Sequence, residues 1–342
     1  MLQRWHTRHL PSRPEDVCGP DIAGKTFVVT GPTSGIGTTT AETLARLGAR
    51  VILACRTVSR GEALVARWRE TAPEGAPHLD CEVMHLDLDS LDSVRAFAAA
   101  FVAKSEPLHC LINNAGVFDM SGAHAHTKDG HEQHYGTNYL APVLLTLDLM
   151  PALRLAGAAE APARVVFVCS KLHEFCPGLR LDDLAFARRP YGARAAYAQS
   201  KLAELLFARA LERRLRGMAR EGHAAEGDGD ANPTRKKKNT NARCLVVHPG
   251  NIVTGVVRTL PRFVQAAYRI IMGSILLTPA EGARASLFAA TRAEALRGDA
   301  LAPYFPSQCE RRAPSPRATD DDAAEALWAQ TLASLGMEAF AA

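Results

Sequence analysis

The chain has 342 residues, 47% hydrophobic and 22% charged, enough apolar material for a sizeable core and too much for a largely disordered protein. A formal net charge of +4 is too small to imply by itself attraction to nucleic acid or a membrane surface, and no nucleic acid is expected as a partner. The eight cysteines form no C-x-x-C pair and sit mostly in apolar runs, which predicts buried reduced thiols rather than a disulfide framework.

The opening MLQRWHTRHLPSR has no apolar core, which argues against a secretory signal, while its shortage of acidic residues keeps a mitochondrial presequence open. From Thr26 onward, short β-branched runs alternate with helical patterns. That alternation predicts an α/β fold with one Rossmann-type, doubly wound parallel sheet of about seven strands flanked by helices. The expected strands are TFVVT (26–30), VILAC (51–55), EVMHL (82–86), CLIN (110–113), VVFVC (165–169) and CLVVH (244–248). The expected helices run from Ile36 to Leu47, Ser90 to Ala103, His131 to Leu155 and Arg194 to Arg216. Asp148 and Arg269 interrupt the longest apolar stretches, leaving none of the ~20 clean residues that a membrane span needs. Residues 217–241, rich in Gly, Asp, Asn and Lys, read as a flexible surface insertion whose RKKK run is solvated; nuclear import or an anionic partner is the alternative. Thr278-Pro279-Ala280-Glu281 has capping-box spacing, and Thr319 to Asp322 starts a last helix through Trp328. Residues 1–20 then form an extension, 21–335 a single domain and 336–342 a tail.

The first strand runs into TGPTSGIG, Thr30 to Gly37, and then a helix. Gly31, Gly35 and Gly37 permit a tight turn and a close backbone approach, and Ser34 and Ile36 complete the loop over a helix N-terminus suited to a pyrophosphate. The second strand ends in CRTVSR. Arg56 and Arg60 stand there in place of the carboxylate that would meet an adenosine ribose, so NADP is expected over NAD; two plain surface arginines are the alternative.

In RAAYAQSKLAELL, Tyr197 and Lys201 are four apart and share a helix face. A nearby ammonium favours the phenolate, making the tyrosine a usable acid/base for a developing alkoxide. Ser170 ends the fifth strand, Asn113-Asn114-Ala115-Gly116 the fourth and Pro249-Gly250 the sixth, all at the carboxyl edge where open α/β sheets bind ligands.

This set resembles the short-chain dehydrogenase/reductase family over about residues 21–335, through TGPTSGIG, Asp87-Leu88, NNAG, Asn138, Ser170, Tyr197-x-x-x-Lys201 and PGNIVT in family order. The retinol dehydrogenase and WW-domain oxidoreductase branch is the most similar, through VILACR, TKDG, NYLAPVLLT, HPGN and YFPSQCERRAPSP. The resemblance implies Tyr197 as general acid/base, Lys201 lowering its pKa and binding the nicotinamide ribose, Ser170 orienting substrate and Asn138 supporting a proton relay. It implies cofactor contacts at Asp87, Leu88, Asn114, Ala115, Gly116, Pro249, Gly250, Ile252 and Thr254. The implied activity is NADP-dependent interconversion of a carbonyl and an alcohol on a lipophilic small molecule such as a retinoid or steroid. The alternatives are a cofactor-binding scaffold with little catalysis and, through MHLDLDSLDSVRAF and GTNYL, a tetrapyrrole reductase. Family members are often dimers or tetramers, and a cytoplasmic location is expected, with mitochondrion and peripheral membrane as alternatives.

Pro32, Cys169 and Ala141 depart from the family pattern, and Pro32 removes one amide from the phosphate turn. HAHTKDGHEQH (124–134) lacks the H-E-x-x-H spacing of a metal helix, so no metal is expected and a solvated loop is. His173 either lines the substrate mouth or caps a loop. The apolar FVQAAYRIIMGSILL (263–277) reads as the lipophilic wall of a substrate pocket, with a core or subunit contact and a membrane-surface contact as the alternatives.

Overall fold

A computed structural model of the chain describes residues 7–76, 78–119, 121–158, 161–224, 242–252 and 276–337, the side chains of 218–224 excepted. Seven strands form one sheet: β1 (Thr26–Thr30), β2 (Arg50–Cys55), β3 (Cys81–His85), β4 (Cys110–Asn113), β5 (Ala163–Val168), β6 (Ala242–Val247) and β7 (Tyr304–Phe305). Their order is β3-β2-β1-β4-β5-β6-β7 and every pairing is parallel. This is the doubly wound sheet that the alternation predicts. The chain moves outward from β1 to β3 and then returns to place β4 against β1, with Val29 opposite Ile112. The crevice of such a fold opens at that reversal.

Successive strand residues face opposite sides of a sheet, so each apolar strand feeds two cores. Val28, Ile52, Leu111, Val165 and Val246 pack on one side, and Phe27, Val29, Val51, Ile112 and Val247 on the other. The second side is covered by α1 (Gly35–Arg46) and α2 (Val58–Glu70), with Leu44 and Trp68 inside. The first side is covered by α3 (Leu91–Val102) through Phe97 and Phe101.

The segment expected as one helix from His131 to Leu155 is broken. It is a π-helical turn Tyr135–Leu140, then α4 (Ala141–Asp148) and α5 (Met150–Ala156), with a bend of 54° at the break. Pro142 and Pro151 cause this, since each lacks an amide for the preceding turn. These pieces are buried in the first core. No single helix among the described residues is long and apolar enough to cross a membrane.

Helix α6 spans Ala193–Ala224, so it continues past Arg216 into the stretch read as insertion; residues 225–241, with the RKKK run, lie outside the described ones. Helix α7 (Pro279–Thr291) opens with the expected capping box, Thr278 and Glu281 each accepting the other's backbone amide. Helix α8 (Asp321–Ser334) continues beyond Trp328 because Thr331 and Leu332 stay on its buried face. Residues 7–20, read as an extension, dock on α7: Arg284 donates to the Pro11 carbonyl, Arg292 to the Val17 carbonyl, and Val17 and Cys18 enter the second core. All eight cysteines are free and seven are buried.

Glu212 joins α6 to the sheet. Its side chain is 0% exposed and accepts from Arg216 Nε at 2.8 Å, Arg243 Nε at 2.5 Å and the Cys244 amide at 2.7 Å. Removing one member of such a net leaves the others buried without their counter-charge. Glu212→Ala should lower the unfolding free energy by about 3 kcal/mol in chemical denaturation; a loss below about 1 kcal/mol would show that this carboxylate is dispensable.

Candidate active site

Position 31 turns the chain out of β1 with φ +63°, a left-handed conformation that glycine adopts without penalty. A Cβ there would lie 2.9 Å from Cβ of Ala115, and one at Gly37 would lie 2.3 Å from the Gly31 carbonyl oxygen. The glycines therefore press the turn onto the NNAG loop after β4. Thr30 Oγ1 accepts the amides of Asn114 (3.0 Å) and Ala115 (2.9 Å), and Asn114 Nδ2 donates to the Thr30 carbonyl at 2.9 Å. Asn114 and Ala115, expected as cofactor contacts, use these groups to brace the turn.

Beyond the turn, α1 begins with Ser34 making no side-chain cap and with no acidic residue in its first turn. A Cβ on Gly35, at φ +56°, would meet nothing within 4 Å. Open space, spare amides and the positive end of a helix fit a pyrophosphate. Pro32 still contributes a carbonyl, which accepts from Thr38 Oγ1 at 2.8 Å.

Arg56, just past β2, and Arg60, in the first turn of α2, are exposed, and neither has an ion-pair partner among the described residues. Asp87, after β3, accepts from Lys128 Nζ at 2.7 Å and from the Asp89 amide. Burial pushes its carboxyl up, but Lys128, that amide and the charge of Arg56 hold it below the usual value. Leu88 is buried beside it. At the end of β6, Gly250 has φ +91°, and Ile252 bridges to Leu277 and packs where any side chain at Gly282 would stand. Thr254 and residues 263–275, most of the expected substrate wall, lie outside the described residues.

Tyr197, Lys201 and Glu204 stand at i, i+4 and i+7 of α6, one face of the helix. That face meets the carboxyl edge of the sheet. Lys201 is 3% exposed, and its Nζ donates to the Val168 carbonyl at 3.1 Å and to Glu204 Oε1 at 2.6 Å. The same Nζ lies 5.7 Å from the centre of the Tyr197 ring and 3.6 Å from where a Gly116 Cβ would be. Ser170 lies just past β5; its Oγ accepts the Leu172 amide at 3.2 Å, and it stands near enough to the Tyr197 hydroxyl to favour the phenolate. The three groups Ser170, Tyr197 and Lys201 are thus together, on the same edge as the glycine turn.

The electrostatic expectation needs correcting. Lys201 does favour the Tyr197 phenolate, but burial outweighs it and Glu204 opposes it, so the phenol pKa lies above its ordinary value. Burial opposes the charge of Lys201 as well, yet Glu204 keeps its pKa raised.

Asn138 is fully buried in the π-helical turn, and its amide is committed: Nδ2 donates to the Val117 carbonyl (2.9 Å) and to Ser200 Oγ (3.2 Å), while Oδ1 accepts the Val117 amide (2.7 Å). The side chain braces the loop after β4. Pro142, four residues on, has no amide to give the Asn138 carbonyl in α-helical register.

The histidine-rich stretch is not a solvated loop throughout. Glu132 and His134 are 0% exposed. His134 Nε2 accepts the Asp119 amide at 3.2 Å, so the hydrogen sits on Nδ1, which donates to Glu132 at 2.9 Å. Tyr191 also donates to Glu132. This network fixes Phe118, whose ring lies 4.3 Å from that of Tyr197. His173 proves to be a loop brace: Nδ1 donates to the Ser170 carbonyl at 2.7 Å and Nε2 accepts the Ser315 amide.

Sequence reasoning passed over Glu204, Glu132, Lys128 and Phe118. Only Glu204 carried a usable signal, its i+7 spacing from Tyr197.

The family model for the short chain dehydrogenase matches residues 25–180. Mouse polyprenol dehydrogenase is 37% identical over 317 residues, covering 93% of this chain and 85% of the relative. Human retinol dehydrogenase 12 is 36% identical over 316 residues, covering 92% and 88%. A putative uncharacterized protein from Mycobacterium paratuberculosis superposes with a TM-score of 0.67 at 32% identity, covering 95% of this chain and 98% of its own. With these relatives matched over nearly its whole length, the chain belongs to the short-chain dehydrogenase/reductase family of oxidoreductases.

Proposed function

We propose that this oxidoreductase uses NADP to interconvert a carbonyl and an alcohol on a lipophilic substrate, with Tyr197 carrying the proton. The observation that supports this most is the meeting of Tyr197, Ser170 and Lys201 beside the glycine turn. In the reductive direction the Tyr197 hydroxyl protonates the developing alkoxide while the Ser170 hydroxyl orients the substrate oxygen. Lys201 lowers the free energy of the phenolate left behind. Because the Asn138 amide is already used, its carbonyl is the atom left for a relay that returns the proton.

In this reading the amides around Gly31, Ser34, Gly35, Ile36 and Gly37 hold the pyrophosphate. Arg56 and Arg60 take the 2′-phosphate, Asp87 and Leu88 border the adenine, and Gly116, Lys201, Pro249, Gly250, Ile252 and Thr254 surround the nicotinamide end. The bound dinucleotide supplies or accepts the hydride. Two guanidiniums without an ion-pair partner among the described residues speak for NADP, since a phosphate forms charge-assisted bonds with them that an NAD hydroxyl cannot. Retinol and polyprenol are apolar alcohols, and relatives that bear those names favour a substrate of that kind. Phe118 over Tyr197 gives such a molecule an apolar contact.

Tyr197→Phe should cut NADPH oxidation with apolar aldehydes and ketones by about a hundredfold or more while NADPH binding persists. Equal rates in wild type and variant would leave only a scaffold that binds cofactor. The double variant Arg56→Ala/Arg60→Ala should raise KM for NADPH about tenfold with KM for NADH unchanged. Equal changes for both cofactors would remove the arginines from phosphate recognition.

A further inference from the structure

Behind the proposed proton donor lies a group that the reaction does not require. Glu204 is 3% exposed, on the face of α6 that carries Tyr197 and Lys201, and its Oε1 accepts from Lys201 Nζ at 2.6 Å. Its Oε2 is buried with no hydrogen-bond partner among the described residues. The titratable groups facing it are Lys201 and Tyr197 on α6 and Cys169 beyond β5; Tyr304 of β7 faces Cys169 in turn. Cys169 Sγ donates to the Lys201 carbonyl at 3.2 Å, so the thiol closes the pocket around this ion pair.

We propose that Glu204 is a positioning residue whose carboxylate tethers the Lys201 ammonium and offsets its pull on Tyr197, biasing the site toward proton donation and hence carbonyl reduction. This rests on the reading of Tyr197 as proton carrier. A lone ammonium near the phenol acts on it as a full charge; paired with a carboxylate at contact distance it acts as a dipole, whose field falls off faster. Two of the three Lys201 donors are held, by Glu204 and by the Val168 carbonyl, so the ammonium cannot swing toward the phenol oxygen without breaking buried bonds. The offset is also titratable. Burial pushes the Glu204 carboxyl up to about 7 against the opposing pull of Lys201. Below that pH the carboxyl is neutral and Lys201 acts on Tyr197 with its whole charge; above it the carboxylate forms and the phenol keeps its proton.

The test compares wild type, Glu204→Gln and Glu204→Asp, with Tyr197→Phe as reference. In Glu204→Gln the acidic limb of the alcohol-oxidation profile should move to lower pH by about one unit, and oxidation at neutral pH should gain on reduction. Glu204→Asp, which keeps the carboxylate, should retain the wild-type profile. Tyrosinate absorbance of the cofactor-free protein, with the Tyr197→Phe trace subtracted, should titrate at lower pH in Glu204→Gln. If that variant does not fold, Glu204→Asn removes the same charge with a smaller side chain and is expected to give the same shifts. Superimposable profiles and tyrosinate curves for wild type and the neutral variant would overturn the proposal. If Tyr197→Phe kept full activity, the underlying reading would fall instead; its inactivity alongside an unshifted Glu204→Gln would sink the role of Glu204 alone.

Discussion

The site depends on the parallel pairing of β1 with β4. Because β4 returns to the inner side of β1, the glycine turn after one strand and the NNAG loop after the other leave the sheet side by side. Thr30 Oγ1 then binds two amides of that loop, and Gly37 allows a contact that any side chain would block. Hydrogen bonds between the Thr30 and Asn114 side chains and backbone thus hold the cradle together. The same edge receives Ser170 from β5, and α6 crosses it with Tyr197 and Lys201.

Within that frame, opposing electrostatic effects meet at one phenol. Burial disfavours the Tyr197 phenolate, Lys201 favours it, and Glu204 weakens the help that Lys201 gives. A Y-x-x-x-K pair alone suggests a simple acidic phenol. Burial, with the third residue of the face adding to it, alters this to a phenol that holds its proton, a state suited to donating it. The aromatic side of the site is equally constrained, with the buried Glu132–His134 pair fixing the loop that presents Phe118 to Tyr197.

Much of this was legible in the sequence. The strand runs, the capping box at Thr278 and the glycine turn are local signals, carried by β-branched runs and by residues with few conformational alternatives. Helix α2 was not anticipated, because only Gly61, Val65 and Trp68 of its residues are buried and so weak a stripe hardly registers as a period. The break around Leu149 was missed because apolar periodicity hid two prolines. The buried roles of Glu132 and His134 depend on partners at Asp119 and Tyr191, which lie in separate loops and have no pattern along the chain. Asn138 was identified, but that its amide is spent on Val117 and Ser200 follows only from the fold.

The central claim is that one phenol and one hydroxyl converge on the reacting oxygen. A crystal structure of the complex with NADP and an apolar alcohol would measure this directly. The account predicts the alcohol oxygen at about 3 Å from both Tyr197 Oη and Ser170 Oγ, with its carbon facing the nicotinamide. An alcohol bound with its oxygen beyond the reach of Tyr197, while NADP occupied the glycine turn, would contradict it.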